Sequence, residues 1–280
     1  MKQLCFLLCF FFIYQLKGQE LYVFTEPASN LPAKSISAKL SGMFMSPQPW
    51  HNQSMQRIMP EVRFGISKKW MLDVGVTFAN MHTDNFTWEA IYVYGKYRFL
   101  SNDDVHAHFR MAAFAEASYT RAPFHNDEVN LGGDKNGLKA GIIATQLWNK
   151  FALSAAVSHV QILDKSRNSK TIIYVPSRVY QGMSYSLSGG YLLLPAEYKD
   201  YKQTNLNLYA EFLAQQSLDR KAYFIDMAPA IQLIFNSNTK LNFGYRFQLG
   251  GTMQRMAKES WQVSLERTFL NALKKKKTKQ

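Results

Sequence analysis

The feature that most limits this chain's fold is a strict period-two alternation. Leu241, Phe243, Tyr245, Phe247 and Leu249 alternate with Asn242, Gly244, Arg246, Gln248 and Gly250. Successive side chains of a strand point to opposite sides, so this segment has one apolar face and one wet face. The same pattern recurs: Ile58, Val62, Phe64 and Ile66 oppose Arg57, Glu61 and Arg63, and Leu206, Leu208, Ala210 and Phe212 oppose Asn205, Asn207 and Glu211. Twelve such segments begin near Ser35, Arg57, Trp70, Phe86, Ala107, Gly137, Phe151, Ser184, Thr204, Ala222, Leu241 and Trp261. No helical periodicity of useful length and no low-complexity linker interrupts them.

Each segment is about 10 residues or more, the length a tilted strand needs to cross a bilayer. Strands of a soluble sandwich are shorter, at about 5 to 6 residues. In the stretch HAHFRMAAFAEASYT, Phe109 and Tyr119 share a face with Met111, Ala113, Ala115 and Ala117. Ten residues at roughly 3.3 Å each and 45° of tilt span about 23 Å, near the apolar band height of a membrane barrel. The connections agree. Those after the second, fourth, sixth and tenth segments are short (SKK, SNDDV, NK, NSNTK), whereas odd segments lead into longer ones such as APFHNDEVNLGGDKN and a stretch over 163–183. PAEYKDYKQ is a longer exception on the short side. The expected fold class is therefore all-β, an up-and-down transmembrane antiparallel barrel of about 12 strands over 35–270. Pro60 and Pro229 each remove a ladder donor inside a strand and are expected to mark bulges.

The chain opens with Lys2, an apolar core from Leu4 to Tyr14 and then Gly18, the layout of a secretory signal peptide over 1–19. Both cysteines, Cys5 and Cys9, fall within it, so a cleaved chain has no thiol for disulfides or metal. Residues 20–34 are expected to be a periplasmic N-terminal segment, and 271–280 a basic tail. The net charge of +13 shrinks to about +6 once Lys2, Lys17 and the five tail lysines are set aside. A secreted chain whose positive charge sits largely in its tail argues against a nucleic-acid partner.

The final segment, WQVSLERTFL, alternates Trp261, Val263 and Leu265 and ends on Phe269, with Arg267 breaking the series. It looks like the terminal strand of outer-membrane barrels. Across most of the mature chain the pattern resembles the small, transporter-like outer-membrane β-barrels of diderm bacteria. LYVFTEPASNLPAKS and RFLSNDDVHAHFRMA resemble an uncharacterised family of them, which has no assigned substrate. The resemblance implies outer-membrane lipid around the barrel, short turns in the periplasm and the barrel-assembly machinery as a partner in biogenesis. It leaves the oligomeric state open and implies no cofactor.

Parity assigns the lumen. Lys39, Arg57, Arg63, Lys96, Arg98, His108, Arg110, Lys139 and Arg246 should face inward with Glu61, Asp73, Glu116, Glu211, Asp226 and Glu266. Interspersed charges of both signs fit either a salt-bridged, filled interior or a passive channel for a small polar or ionic solute. Soft ligands gather toward the long-loop rim: Met43, Met45, His51, Met55 and Met59 form the candidate metal set, with Met81, His82, His125, Met253 and Met256 nearby. Thioethers and imidazoles suit copper(I), although methionine also fills gaps in cores. His106 and His108 share a face beside Asp103 and Asp104, where a structural role outweighs a weak metal site.

An enzyme is not expected. A lipid-modifying barrel needs Ser and His aligned, but adjacent Ser158 and His159 must point to opposite faces. Asp127 and Glu128 are loop carboxylates with no evident partner. The readings kept are a channel, a structural or surface-binding barrel with a blocked lumen, and, third, a lipid-modifying enzyme.

Overall fold

The computed structural model describes residues 22–46, 54–82, 85–105, 107–123, 126–164, 179–195, 200, 202–219 and 221–274. It contains twelve strands: β1 Ser35–Met45, β2 Met55–Gly65, β3 Trp70–Ala79, β4 Thr87–Asp103, β5 Ala107–Thr120, β6 Gly137–Trp148, β7 Phe151–Ile162, β8 Gln181–Leu194, β9 Asn205–Ser217, β10 Tyr223–Phe235, β11 Thr239–Gly251 and β12 Glu259–Phe269. Each pairs with its chain neighbours, and β12 closes on β1 antiparallel, from Ile36 opposite Phe269 to Phe44 opposite Trp261. Closure leaves no strand edge unpaired, which is what a sheet in hydrocarbon requires.

The alternation sets the walls. Leu40, Val62, Leu138, Phe243 and Leu265 are exposed on the outside, while Ser37, Ser41, Asp73, Ser154, Glu211 and Asn242 are buried inside. Rings gather at both ends of the outer wall. Trp70 with Tyr97 and Trp148 with Phe151 lie at the end bearing the short turns, and Tyr245 with Trp261 at the other. Arg267 lies over the ring of Phe269 at the short-turn end, where its charge can reach water.

At one end four connections are four residues or shorter; at the other, connections run from five to eighteen. The short end is periplasmic and the long end external, by the convention of such barrels.

The prolines do not mark bulges. Pro60 faces Leu40 in an unbroken β1/β2 register, and the β2/β3 pairing lapses beside it and resumes in step. Pro229 likewise keeps its pairing with Ala210. The register shifts occur elsewhere, between Thr77 and Phe78, Arg98 and Leu100, Leu192 and Leu194, and Ile225 and Asp226. A missing donor costs one ladder bond but inserts no residue, so the partner strand need not slip.

The signal peptide and residues 275–280 of the tail lie outside the described residues, as do His51, His106 and His125.

Candidate functional site: the obstructed lumen

Of the segment expected in the periplasm, residues 22–30 lie inside the barrel, while 31–34 run beside Gly65 at the short-turn end. Residues 22–30 cross the lumen and reach most of its wall. Glu211 of β9 accepts hydrogen bonds from the main-chain nitrogens of Val23 (2.8 Å) and Phe24 (3.0 Å), and from Thr25 Oγ1 (2.7 Å), which also meets Ser188 of β8. Ala28 N donates to Thr145 of β6. Lys96 of β4, fully buried, donates to the carbonyls of Pro27 (2.7 Å) and Ser29 (2.8 Å). Arg110 of β5 donates to Ser29 Oγ, and Gln262 of β12 to the Val23 carbonyl. Glu26 pairs with Arg63 of β2 at 2.8 Å.

Two contacts show how the wall is shaped to receive this strut. Phe24 seats on Gly244, where a Cβ would come within 2.5 Å of the ring. Tyr22 stacks edge-on with Tyr209, in a buried cluster with Val23, Leu147 and Ala152. The strut has no ladder of its own, so its buried backbone groups are satisfied by side chains from the surrounding strands.

The β5–β6 connection, in its described residues 121–123 and 126–136, folds into the external mouth. Val129 N donates to Gln215 Oε1 (2.7 Å) while Gln215 Nε2 donates to the Val129 carbonyl (3.0 Å). Val129 also packs on Gly182, where a Cβ would collide with it. Leu131 joins Val160, Ile162 and Val179 in a buried cluster. Arg57, 2% exposed, pairs with Asp134 and donates to the Gly132 carbonyl.

A second latch involves Glu128. It bridges Arg255 (3.1 Å) and Arg246 (3.4 Å), and both arginines also bind Asp226, at 2.8 and 2.5 Å. Arg255 lies over the Phe224 ring. Glu128 is therefore not the partnerless carboxylate that its loop position suggested. Burial alone would raise its pKa, but Arg255 and then Arg246 outweigh this and hold it below the usual range. Lys135, in the same loop, donates to the Asn126 carbonyl, and burial lowers its pKa to about 8 despite the neighbouring carboxylates.

A cavity of about 1350 Å³ runs alongside the strut and up to the loop. Its lining runs from Lys68, Asp103 and Ser237 at the periplasmic rim to Glu128, Val129 and Gly132 beneath the loop. Of the residues that parity turned inward, Lys39, Glu61, Arg63, Asp73, His108, Arg110, Glu116, Lys139, Arg246 and Glu266 line it. Arg57, Lys96, Glu211 and Asp226 instead hold the loop and strut, and half-buried Arg98 lies outside the lining. Most lining charges are paired: Lys39 with Glu61 (2.8 Å), Arg63 with Asp73 (3.0 Å), Lys240 with Glu266 (3.2 Å), and Lys139 more loosely with Glu116 (3.9 Å). Uncharged hydroxyls of Ser158, Ser184 and Ser186 line the cavity on β7 and β8.

His108 lies 3.0 Å from Asp103, which also receives Arg110, and no group of three His, Cys, Asp or Glu side chains among the described residues could hold a metal ion. Ser158 points inward and His159 outward, as adjacency on a strand dictates. Met43, Met45 and Met55 pack together at the external rim with Met81 and Met256, while Met59 lines the cavity and Met253 packs with Ala222 and Phe224.

The barrel resembles an outer-membrane channel from Pseudomonas putida F1, 11% identical, with a TM-score of 0.56 over 89% of this chain and all of that one. The fold is that of an outer-membrane β-barrel. A second solved structure, the β-domain of the Bordetella autotransporter BrkA, is 12% identical, with a TM-score of 0.50 over 84% of this barrel and 99% of that domain. At such identities the likeness is one of fold. No family model and no curated protein matches the barrel.

Proposed function

We propose that this barrel is a passive channel for small polar or ionic solutes, narrowed by the strut of residues 22–30 and gated at its external mouth by the β5–β6 loop. The observation that carries the proposal is the cavity of about 1350 Å³, studded with charged side chains, whose lining extends from the periplasmic rim to the underside of that loop. Because most lining charges are paired, the pore presents little net field and selects weakly between anions and cations. Its gate is a loop held by side chains and a few isolated main-chain bonds, such as Asp127 N to the Gln254 carbonyl, rather than by a ladder, so it can leave without disturbing the barrel.

Liposome swelling tests this reading. Vesicles carrying the mature barrel should swell in small neutral and ionic solutes, and more slowly as solute size rises. Equal, barrel-independent rates for every solute would oppose it. The competing reading, a structural barrel with a blocked lumen, is favoured by the number of bonds holding both obstructions. It predicts no swelling even when the strut is removed. No catalytic activity is proposed.

A further inference from the structure

We propose that the external rim carries a binding site for a soft monovalent cation, copper(I) or silver(I), built from the thioethers of Met43, Met45, Met55, Met81 and Met256. These come from four separate stretches: β1, β2, the residues after β3, and the β11–β12 connection. Met45 and Met55 are direct partners across the β1/β2 ladder, and Met43 follows on the same inward face. Facing residues in such a pair have Cβ atoms about 5 Å apart, so their sulfurs can meet at one point. Met55 is fully buried, Met81 and Met256 nearly so, and half-buried Met43 borders the cluster.

Composition separates this from ordinary packing. The neighbouring buried cluster under the β5–β6 loop is built of Val129, Leu131, Val160, Ile162 and Val179, the aliphatic residues any apolar filling can use. The rim cluster contains only methionine and alanine, and uses five of the chain's 12 methionines. A neutral, all-thioether set suits a soft, singly charged ion, whereas zinc, calcium and magnesium favour nitrogen or charged oxygen. The set differs from the one expected from sequence: Met59 leaves it, His51 lies outside the described residues, and Met81 and Met256 enter because the β3 end and the last external loop converge on β1 and β2. The site does not rest on conduction through the barrel.

The test is competition of the detergent-solubilised mature barrel against a copper(I) chelator, repeated with silver(I), for the wild type, the Met55→Leu/Met81→Leu/Met256→Leu variant and Met59→Leu. Leucine for methionine conserves volume, so the fold should survive, which heat-modifiable gel migration checks. The wild type should bind one ion per barrel through a shell of sulfur alone by X-ray absorption. Loss of outer-shell support costs known sites about 10- to 100-fold, so the triple variant should lose at least as much, and Met59→Leu nothing. Binding should hold constant from pH 5.5 to 7.5, since thioethers do not titrate, and zinc should not compete. Failure of the wild type to outcompete the chelator, equal affinity in a folded triple variant, or a nitrogen or oxygen shell would overturn the proposal.

Discussion

Phe24 lies against Gly244 so closely that a single added methyl would come within 2.5 Å of its ring. A segment preceding the first strand thus turns into the lumen and seats on β11, two strands from β1, in a notch that only glycine leaves open. Gly244→Ala should overpack this contact and destabilise the strut by about 1–3 kcal/mol. Adding Phe24→Ala should restore part of the loss, because the two residues share one contact. Thermal unfolding in detergent, followed by gel migration, measures both, and strict additivity would show that the contact carries no energy.

Glu211 is the strut's main anchor. Glu211→Ala removes the acceptor for two main-chain donors and a hydroxyl, and each buried donor left unmade costs about 1–3 kcal/mol. With both native cysteines lying before residue 20, a single Thr25→Cys can be labelled selectively. Labelling by an impermeant thiol reagent should be slow in the otherwise native barrel and much faster with Glu211→Ala. Equal rates would mean that the strut is held by other contacts.

The strut should also resist acid. Burial raises the pKa of Glu26, but Arg63, then Lys96, Lys39 and Lys240, outweigh that and set it at about 2. A carboxylate depressed in the folded state contributes stability that is fully present above its unfolded value of about 4.5 and is lost as pH falls toward 2. Labelling of Thr25→Cys, with a reagent that tolerates acid, should be slow above about pH 4.5 and accelerate progressively as pH falls toward 2. The acceleration should vanish in Glu26→Gln, whose rate is high throughout.

The external latch depends on Arg255, whose side chain is 3% exposed and faces Asp226 and Glu128. Removing one member of a buried ion cluster costs about 3–5 kcal/mol. Arg255→Ala should therefore undock the β5–β6 loop and make it the first protease-sensitive site in the folded barrel. Lys135 adds a pH dependence of definite sign. Its pKa of about 8 when docked lies below that of the free side chain, so docking strengthens as pH rises from 8 toward 10.5. Loop cleavage by an alkali-tolerant protease should slow over that range, and not in Lys135→Met.

The barrel was legible in the sequence because lipid and lumen impose opposite demands on alternate residues. Twelve starts fell within three residues of the observed strands, and Ser158 and His159 fell on the faces that parity required. The strut was not legible. Tyr22 to Ser29 has no alternation, since its partners are side chains on several strands distant in sequence rather than one neighbouring strand. The only traces were on the wall: Gly244 in an otherwise bulky strand, and Glu211 facing a stretch of serines on β8. Glu128 looked partnerless for the same reason, because Arg246 and Arg255 meet it only after the loop folds inward. Prolines misled in the other direction, since a lost donor need not shift a register.

Single-channel conductance in planar bilayers, compared between the mature barrel and a version lacking residues 22–30, tests the central claim most directly. The account predicts small, weakly selective openings for the native barrel and a several-fold larger conductance once the strut is gone. Absence of current in both, or the same conductance in both, would contradict it.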